Sequence, residues 1–518
     1  MKIFDLRNNR YTTTISLLFF LFIFSNCTKK FDELNTDPTT FSSLTPATIP
    51  NAFAKAEYQG IYGDPGIYEL ARALFPDYWC QFYADAYGAP TDRYVIVQDW
   101  IISQWNSVYT VTWPTLKKVI EATQNTDAGA NAIAKIWKAY IFHYHTDFYG
   151  PVPYSHAGNG DLSIPYDSQK DIYYDLFNTL DSAVTTLQSL DQTQTPYGDN
   201  DLIFHGNIPK WIKLANTLRL RLAMRISFVE PGKAKEEAEK AYSLGVMTSN
   251  DDNAMMDVAD NSPNGLSLMS PWEGFRMSAS MESYLKGYTD PRMKVYYSPA
   301  ASGQYRGLRN GLTSAQLSAD PRNSLDSTSN IGALWVPDDA STNKLTVMYS
   351  AEAYFLRAEG ALNGWNMGGT AQELYEQGIR TSLQQWGIAD NTAIENYING
   401  TSTPIALNDY FNSPAVASIP VKFSASVEEQ RQQILTQKWI ALFPDGIEAW
   451  AEVRRTGYPK LYPVANSDNP DVPKDSIIKR FLFVPYEYQT NNKAVVETGV
   501  PLLGGPDKSS TPVWWDVR

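Results

Sequence analysis

Cysteine is almost missing from this chain. Of its 518 residues only Cys27 and Cys80 are cysteines, which excludes a disulfide-stapled fold and a cysteine-built zinc site. Histidine is nearly as scarce, with His143, His145, His156 and His205 the full set. His143 and His145 stand two apart on a predicted helix and so point to different sides. There is no HExxH pair, no GxSxG elbow, no Walker A loop and no GxGxxG turn. Those absences leave no motif for zinc hydrolysis, serine hydrolysis or nucleotide binding. Asp and Glu are plentiful, so a carboxylate-pair glycosidase stays open on composition. No carboxylate stands out by its surroundings, and Glu236-Glu237 reads as a solvated helix face.

Long apolar runs are missing too, with one exception. Ile15 to Phe24 is apolar apart from Ser16 and follows the positive start Lys2, Arg7 and Arg10. Ten residues cannot span a bilayer, so residues 1–26 read as an export signal. Cys27 follows at once, where a bacterial lipoprotein signal ends on the cysteine that receives the acyl chains. Phe24 and Asn26 depart from the usual residues before it. With Cys27 lipidated, Cys80 is left as a small buried apolar side chain.

Positive charge is outnumbered. The net charge is −13, and an acidic chain repels phosphate backbones, so nucleic acid is not expected as a partner. What the chain has in excess is aromatic rings: 32 Tyr, 22 Phe and 14 Trp, together 13% of all residues. That exceeds the needs of a core, and Tyr and Trp suit wet binding sites because each has a flat apolar face and a polar handle.

Helical periodicity dominates the body. Asp64-Pro65 opens a predicted helix toward Trp79. Further helices are predicted over 130–146, 171–190, 209–228, 233–244, 348–363, 370–386, 426–442 and 446–455. Thr370 and Ser426 each begin a predicted capping box with a Glu three residues on. Antiparallel helices of this length give a mainly α fold, a tetratricopeptide-like helical-hairpin scaffold. Residues 250–345 and 388–425 lack steady periodicity and read as loop-rich inserts, the expected place for a ligand.

Several segments, in order, resemble one family. They are Cys27-Thr28-Lys29-Lys30-Phe31, Phe148-Tyr149-Gly150-Pro151-Val152-Pro153-Tyr154, Lys210-Trp211 with Ala215-Asn216 and Leu220 to Ile226, and Asp290-Pro291-Arg292. Glu352 to Glu359, Gln437 to Leu442, Glu448-Ala449-Trp450 and Arg454-Arg455-Thr456-Gly457 continue the series, as do Arg480, Pro485, Glu487 and Asn491-Asn492. Together they resemble the SusD/RagB outer-membrane lipoproteins over essentially the whole mature chain, with Pro151 replacing that family's usual acidic residue. The resemblance implies about four helix pairs plus a loop-rich portion with the ligand site. It implies a tether over 27–45, a single domain over 46–518, and lipid anchoring on the outer membrane of a Gram-negative bacterium, exposed at the cell surface. It also implies a SusC-like TonB-dependent barrel as partner and an oligosaccharide as ligand.

The expected function is therefore glycan capture without catalysis. A carbohydrate-active enzyme and a peptide-capturing lid are the alternatives. Candidate ligand residues fall in two clusters: Trp79, Tyr83, Tyr87, Asp92, Arg93 and Tyr94 early on, and Trp272, Phe275, Arg276, Tyr305, Arg306 and Trp335 in the long insert. No cofactor is expected, with calcium left open. Lipidation makes a direct prediction: wild-type protein should incorporate labelled fatty acid and fractionate with membranes, and Cys27→Ala should do neither.

Overall fold

The computed structural model describes residues 44–336 and 343–518. The signal segment and Cys27 lie outside the described residues. Ile49–Arg518 forms one compact unit. Its longer helices are α1 (Ile49–Gly60), α2 (Trp113–Thr123), α3 (Ala128–Tyr149), α4 (Gln169–Ser189) and α5 (Ile208–Arg225), then α6 (Pro231–Leu244), α7 (Ser350–Leu362), α8 (Ala371–Gln385), α9 (Val427–Leu442) and α10 (Gly446–Thr456). Helices α3/α4, α5/α6, α7/α8 and α9/α10 pack as four consecutive pairs, joined through α4–α5, α5–α7 and α7–α9 contacts. This is the tetratricopeptide-like scaffold that periodicity predicted.

Local chemistry sets the ends. Asp127, Ser168 and Asn207 accept from backbone N–H groups in the first turns of α3, α4 and α5. Thr370 and Glu373 close a reciprocal capping box on α8. Ser426 makes no such bond, because Ser424 takes the Glu429 carboxylate instead. The helix predicted from Asp64 is also broken. Asp64 does cap it, but Pro76 restarts the chain as a separate turn, Pro76–Trp79.

The buried face of α4 carries Ile172, Leu176, Leu180, Ala183 and Leu187, and that of α5 carries Trp211, Leu214, Leu218 and Leu222. Cys80 is buried, as expected, and burial pushes its thiol up. His145 is buried on α3 among Trp105, Tyr109 and Tyr149. With no charge nearby to offset burial, its ring is pushed down to about 3 and stays neutral.

Where the pairs meet, the core is ionic rather than apolar. Arg221 on α5 forks onto Glu352 of α7 at 2.8 and 2.6 Å. Arg225, one turn on, contacts Glu448 and reaches Glu452 of α10 at 2.7 Å and Asp147 of α3 at 3.3 Å. Arg455 binds Glu359 of α7 and Glu452, both at 2.7 Å. Lys438 on α9 lies 3.1 Å from Glu452 and 3.4 Å from Glu448. Glu237, expected on a solvated face, is buried as well and holds Arg219.

Strands are few among the described residues: β1 (Tyr83–Asp85), β2 (Ala254–Met256), β3 (Phe275–Met277) and β4 (Leu345–Met348). They form two antiparallel ribbons, β1–β3 and β2–β4, so the long insert is partly ordered as sheet. No helix among the described residues is long and apolar enough to cross a membrane.

The ionic core gives a stability prediction. Arg225→Ala removes one cation shared by three buried carboxylates and should cost about 3–5 kcal/mol. Lys117→Ala removes only the exposed pair with Glu121 and should cost at most about 0.5 kcal/mol. Urea melts followed by tryptophan fluorescence give both values.

Candidate functional site

The β1–β3 ribbon aligns Tyr83 with Met277, Ala84 with Arg276 and Asp85 with Phe275. One further bond, Ala86 N–H to Gly274 carbonyl at 2.9 Å, carries the pairing outward. Beyond it stand Tyr87 and Trp272, 59% and 53% exposed. Among the described residues Phe411 is the one other large aromatic left exposed. The Tyr87 hydroxyl donates to the Trp272 carbonyl at 3.0 Å, so the two residues form one platform.

Small residues and buried acids hold that platform in place. A Cβ at Gly274 would lie 3.3 Å from the Tyr87 ring, so glycine lets the ring settle on the backbone. Gly88 has φ +83°, and a Cβ there would meet the Ser314 hydroxyl at 2.5 Å. Asp85 accepts the amides of Tyr87 and Ala89 at 2.8 and 2.5 Å and the Tyr78 hydroxyl at 3.2 Å. Asp92 accepts the Asp85 and Gly311 amides and the Asn310 side chain. Burial pushes Asp92 up to about 7 in spite of those bonds. Arg93 donates to the Gly88 carbonyl at 2.8 Å and pairs with Asp468 at 2.6 Å.

The structure thus sorts the residues expected at the site. Tyr87, Trp272 and Arg276 come together at the ribbon's end. Arg306 joins their neighbourhood through Ser329, which exchanges a backbone bond with each of Met277 and Arg306, and Tyr305 precedes it, part-buried. Asp92 and Arg93 act from beneath, as braces. Trp79, Tyr83, Tyr94, Phe275 and Trp335 are at most 5% exposed and are corrected to core. Trp79 packs on Phe75, Trp450 and Phe481, Tyr83 on Tyr297 and Phe443, and Phe275 on Tyr78. Tyr94 points inward to the Ser476 carbonyl. Trp335 fills a hollow between Tyr296, Trp386 and Phe443.

Two further aromatic groups went unnamed in the sequence. Phe411, in the second insert, lies under the Arg309 guanidinium, which also covers Tyr462. A separate hollow of about 420 Å³ is lined by Trp105, Tyr109, Trp113 and Tyr486. The polar handles of the last three are bonded to Pro153, Ala157 and Asn106. Ring content alone could not separate these groups from core. Among the described residues no group of three or more His, Cys, Asp or Glu is placed to share a metal ion.

Denaturation separates platform from core. Trp79→Ala and Trp335→Ala should each cost about 3–5 kcal/mol, whereas Trp272→Ala, at an exposed position, should stay within about 0.5 kcal/mol of wild type.

Residues 35–516 match the family described as SusD-like, "Susd and RagB outer membrane lipoprotein". No curated protein matches the chain. Solved structures do. A chitin-binding SusD homolog from Flavobacterium johnsoniae is 36% identical with a TM-score of 0.82, over 91% of this chain and 99% of that one. A SusD homolog from Bacteroides uniformis is 32% identical with a TM-score of 0.84, over 92% and 100%. Another chitin-binding protein is 30% identical with a TM-score of 0.77, over 91% and 100%. With its helix pairs, its loop-borne aromatic platform and a family match over nearly all its length, this chain belongs to the SusD/RagB family.

Proposed function

We propose that this protein is a non-catalytic glycan-binding lipoprotein of the outer membrane, exposed at the cell surface. It captures an oligosaccharide on the Tyr87–Trp272 platform and passes it to a SusC-like TonB-dependent barrel. The observation that carries this reading is the pair of exposed aromatics at the end of a braced ribbon, with the Tyr87 hydroxyl bonded to the Trp272 backbone carbonyl. Sugar rings present C–H faces that such aromatics cover, and hydroxyls that the flanking arginines can bind. Covering one sugar face removes about 50–80 Å² of apolar surface, worth about 1–2 kcal/mol at about 25 cal/mol/Å². A few such contacts, less the cost of association, give about micromolar to millimolar binding, suited to a protein that hands its ligand on.

The acids beneath the platform support binding over cleavage. Asp85 and Asp92 are buried, with their oxygens engaged by amides, Asn310 and Tyr78, which leaves them as scaffold. The chitin-binding relatives make chitooligosaccharides the first ligands to test.

Calorimetry with a panel of oligosaccharides tests the reading. Trp272→Ala and Tyr87→Ala should each weaken binding about 5- to 30-fold while the melting curve stays in place. Shortened products after incubation would make the protein an enzyme. Unaltered affinity in both variants would move the site elsewhere. Gentle detergent pull-down should recover a large barrel protein with it, and recovery as a free monomer would count against the hand-over.

A further inference from the structure

A buried arginine without a bonded partner stands beside the platform. Arg276 is 4% exposed, yet its side chain makes no hydrogen bond, ion pair or ring contact. Every other buried arginine is answered. Arg72, Arg219, Arg221, Arg225, Arg292, Arg455 and Arg480 meet carboxylates, while Arg357 and Arg454 donate to carbonyls. A buried guanidinium left alone is costly in a protein that answers all its others.

The geometry says where its partner would sit. Strand alternation turns Phe275 and Met277 into the core and Arg276 to the opposite face, level with Ala84. Nε is sealed off without an acceptor, whereas the two terminal nitrogens are not sealed. The fork left open is therefore the end-on pair, Nη1 and Nη2, which matches the two oxygens of a carboxylate or sulfate. The Glu273 and Asp326 carboxylates are the charges that reach it, and neither is within ion-pairing distance. Arg306, across Ser329 on the adjoining segment, likewise has no side-chain partner. Two guanidinium groups without a bonded partner thus stand on β3 and on the segment that Ser329 ties to it, in a chain whose net charge is −13.

We propose that the platform takes an anionic glycan, one of whose sugars carries a carboxylate or sulfate that docks end-on to Arg276 while its ring lies against Tyr87 and Trp272. This rests on the glycan-binding reading and deepens it. It would set this protein apart from the relatives described as binding chitin, a polymer without acid groups.

The test uses gels containing polygalacturonate, its methyl ester, sulfated chondroitin or soluble chitooligosaccharide-bearing polymer, then calorimetry on short fragments of each. Polygalacturonate fragments or sulfated chondroitin fragments should bind about tenfold or more tightly than the methyl ester at low salt, with the advantage shrinking as salt rises. Sulfated chondroitin also carries a uronate carboxylate, so comparing it with its desulfated form separates sulfate from carboxylate. Arg276→Gln should erase the preference, and Arg276→Lys should restore only part of it, because lysine keeps the charge and loses the fork. A circular-dichroism melt of each variant confirms folding. If Arg276→Gln fails to fold, salt dependence and the acid-to-ester ratio of the wild type decide. Equal binding of acid and ester with no gain for sulfated chondroitin, or binding of the chitin-like polymer alone, overturns this inference and leaves glycan capture standing. No binding to any of the four overturns this inference, and glycan capture is then decided by the wider oligosaccharide panel.

Discussion

The scaffold depends on a buried exchange of charge. Arg221 and Arg225 on α5 have no water to turn to, so the acids of α3, α7 and α10 must come to them. Hydrophobic burial brings helices together without fixing their order, whereas a guanidinium fork accepts a carboxylate in few geometries. The four pairs are locked in one arrangement by that requirement. Breaking a single member leaves its partners charged and dry, which is why the penalty is far larger than the pair's own worth.

The platform follows the same logic on a smaller scale. Nothing apolar holds Tyr87 in place from outside, so its loop is pinned by Asp85, Asp92 and Arg93 from below. The helical scaffold supplies the floor on which that loop rests: Trp439 of α9 donates to the Cys80 carbonyl at 2.9 Å, just before β1. Rigid helices, a short ribbon and two exposed rings form one mechanical series from core to surface.

Much of this was legible in the sequence, and the reasons for the rest are specific. Periodicity found the long helices because one face of each is buried. It failed at Pro76, where a missing N–H broke the run, and at Ser426 the helix began as expected but without its capping box, the Glu429 carboxylate being held by Ser424. Tyr87, Trp272 and Arg276 were singled out because they lie in aromatic-rich segments without helical periodicity, although Arg276 stands on β3. Trp335 was misplaced by the same argument: its neighbours are loop-like, but the hollow it fills is made by Tyr296, Trp386 and Phe443 from distant parts of the chain. Glu237 was misplaced because a charged string says nothing of an arginine facing it across a helix pair. Long-range partners carry no local signature.

The bond between Tyr87 and Trp272 also limits what the platform can tell apart. With its proton committed to the Trp272 carbonyl, the Tyr87 hydroxyl offers a visiting sugar only a lone pair. Contact with the two ring faces is then broad and weakly directional within their plane. A polymer lying there can advance by one sugar unit and find the same surface again. Such a surface acts as a slide bearing: the rings keep a chain close, and the choice of register falls to the polar groups beside them.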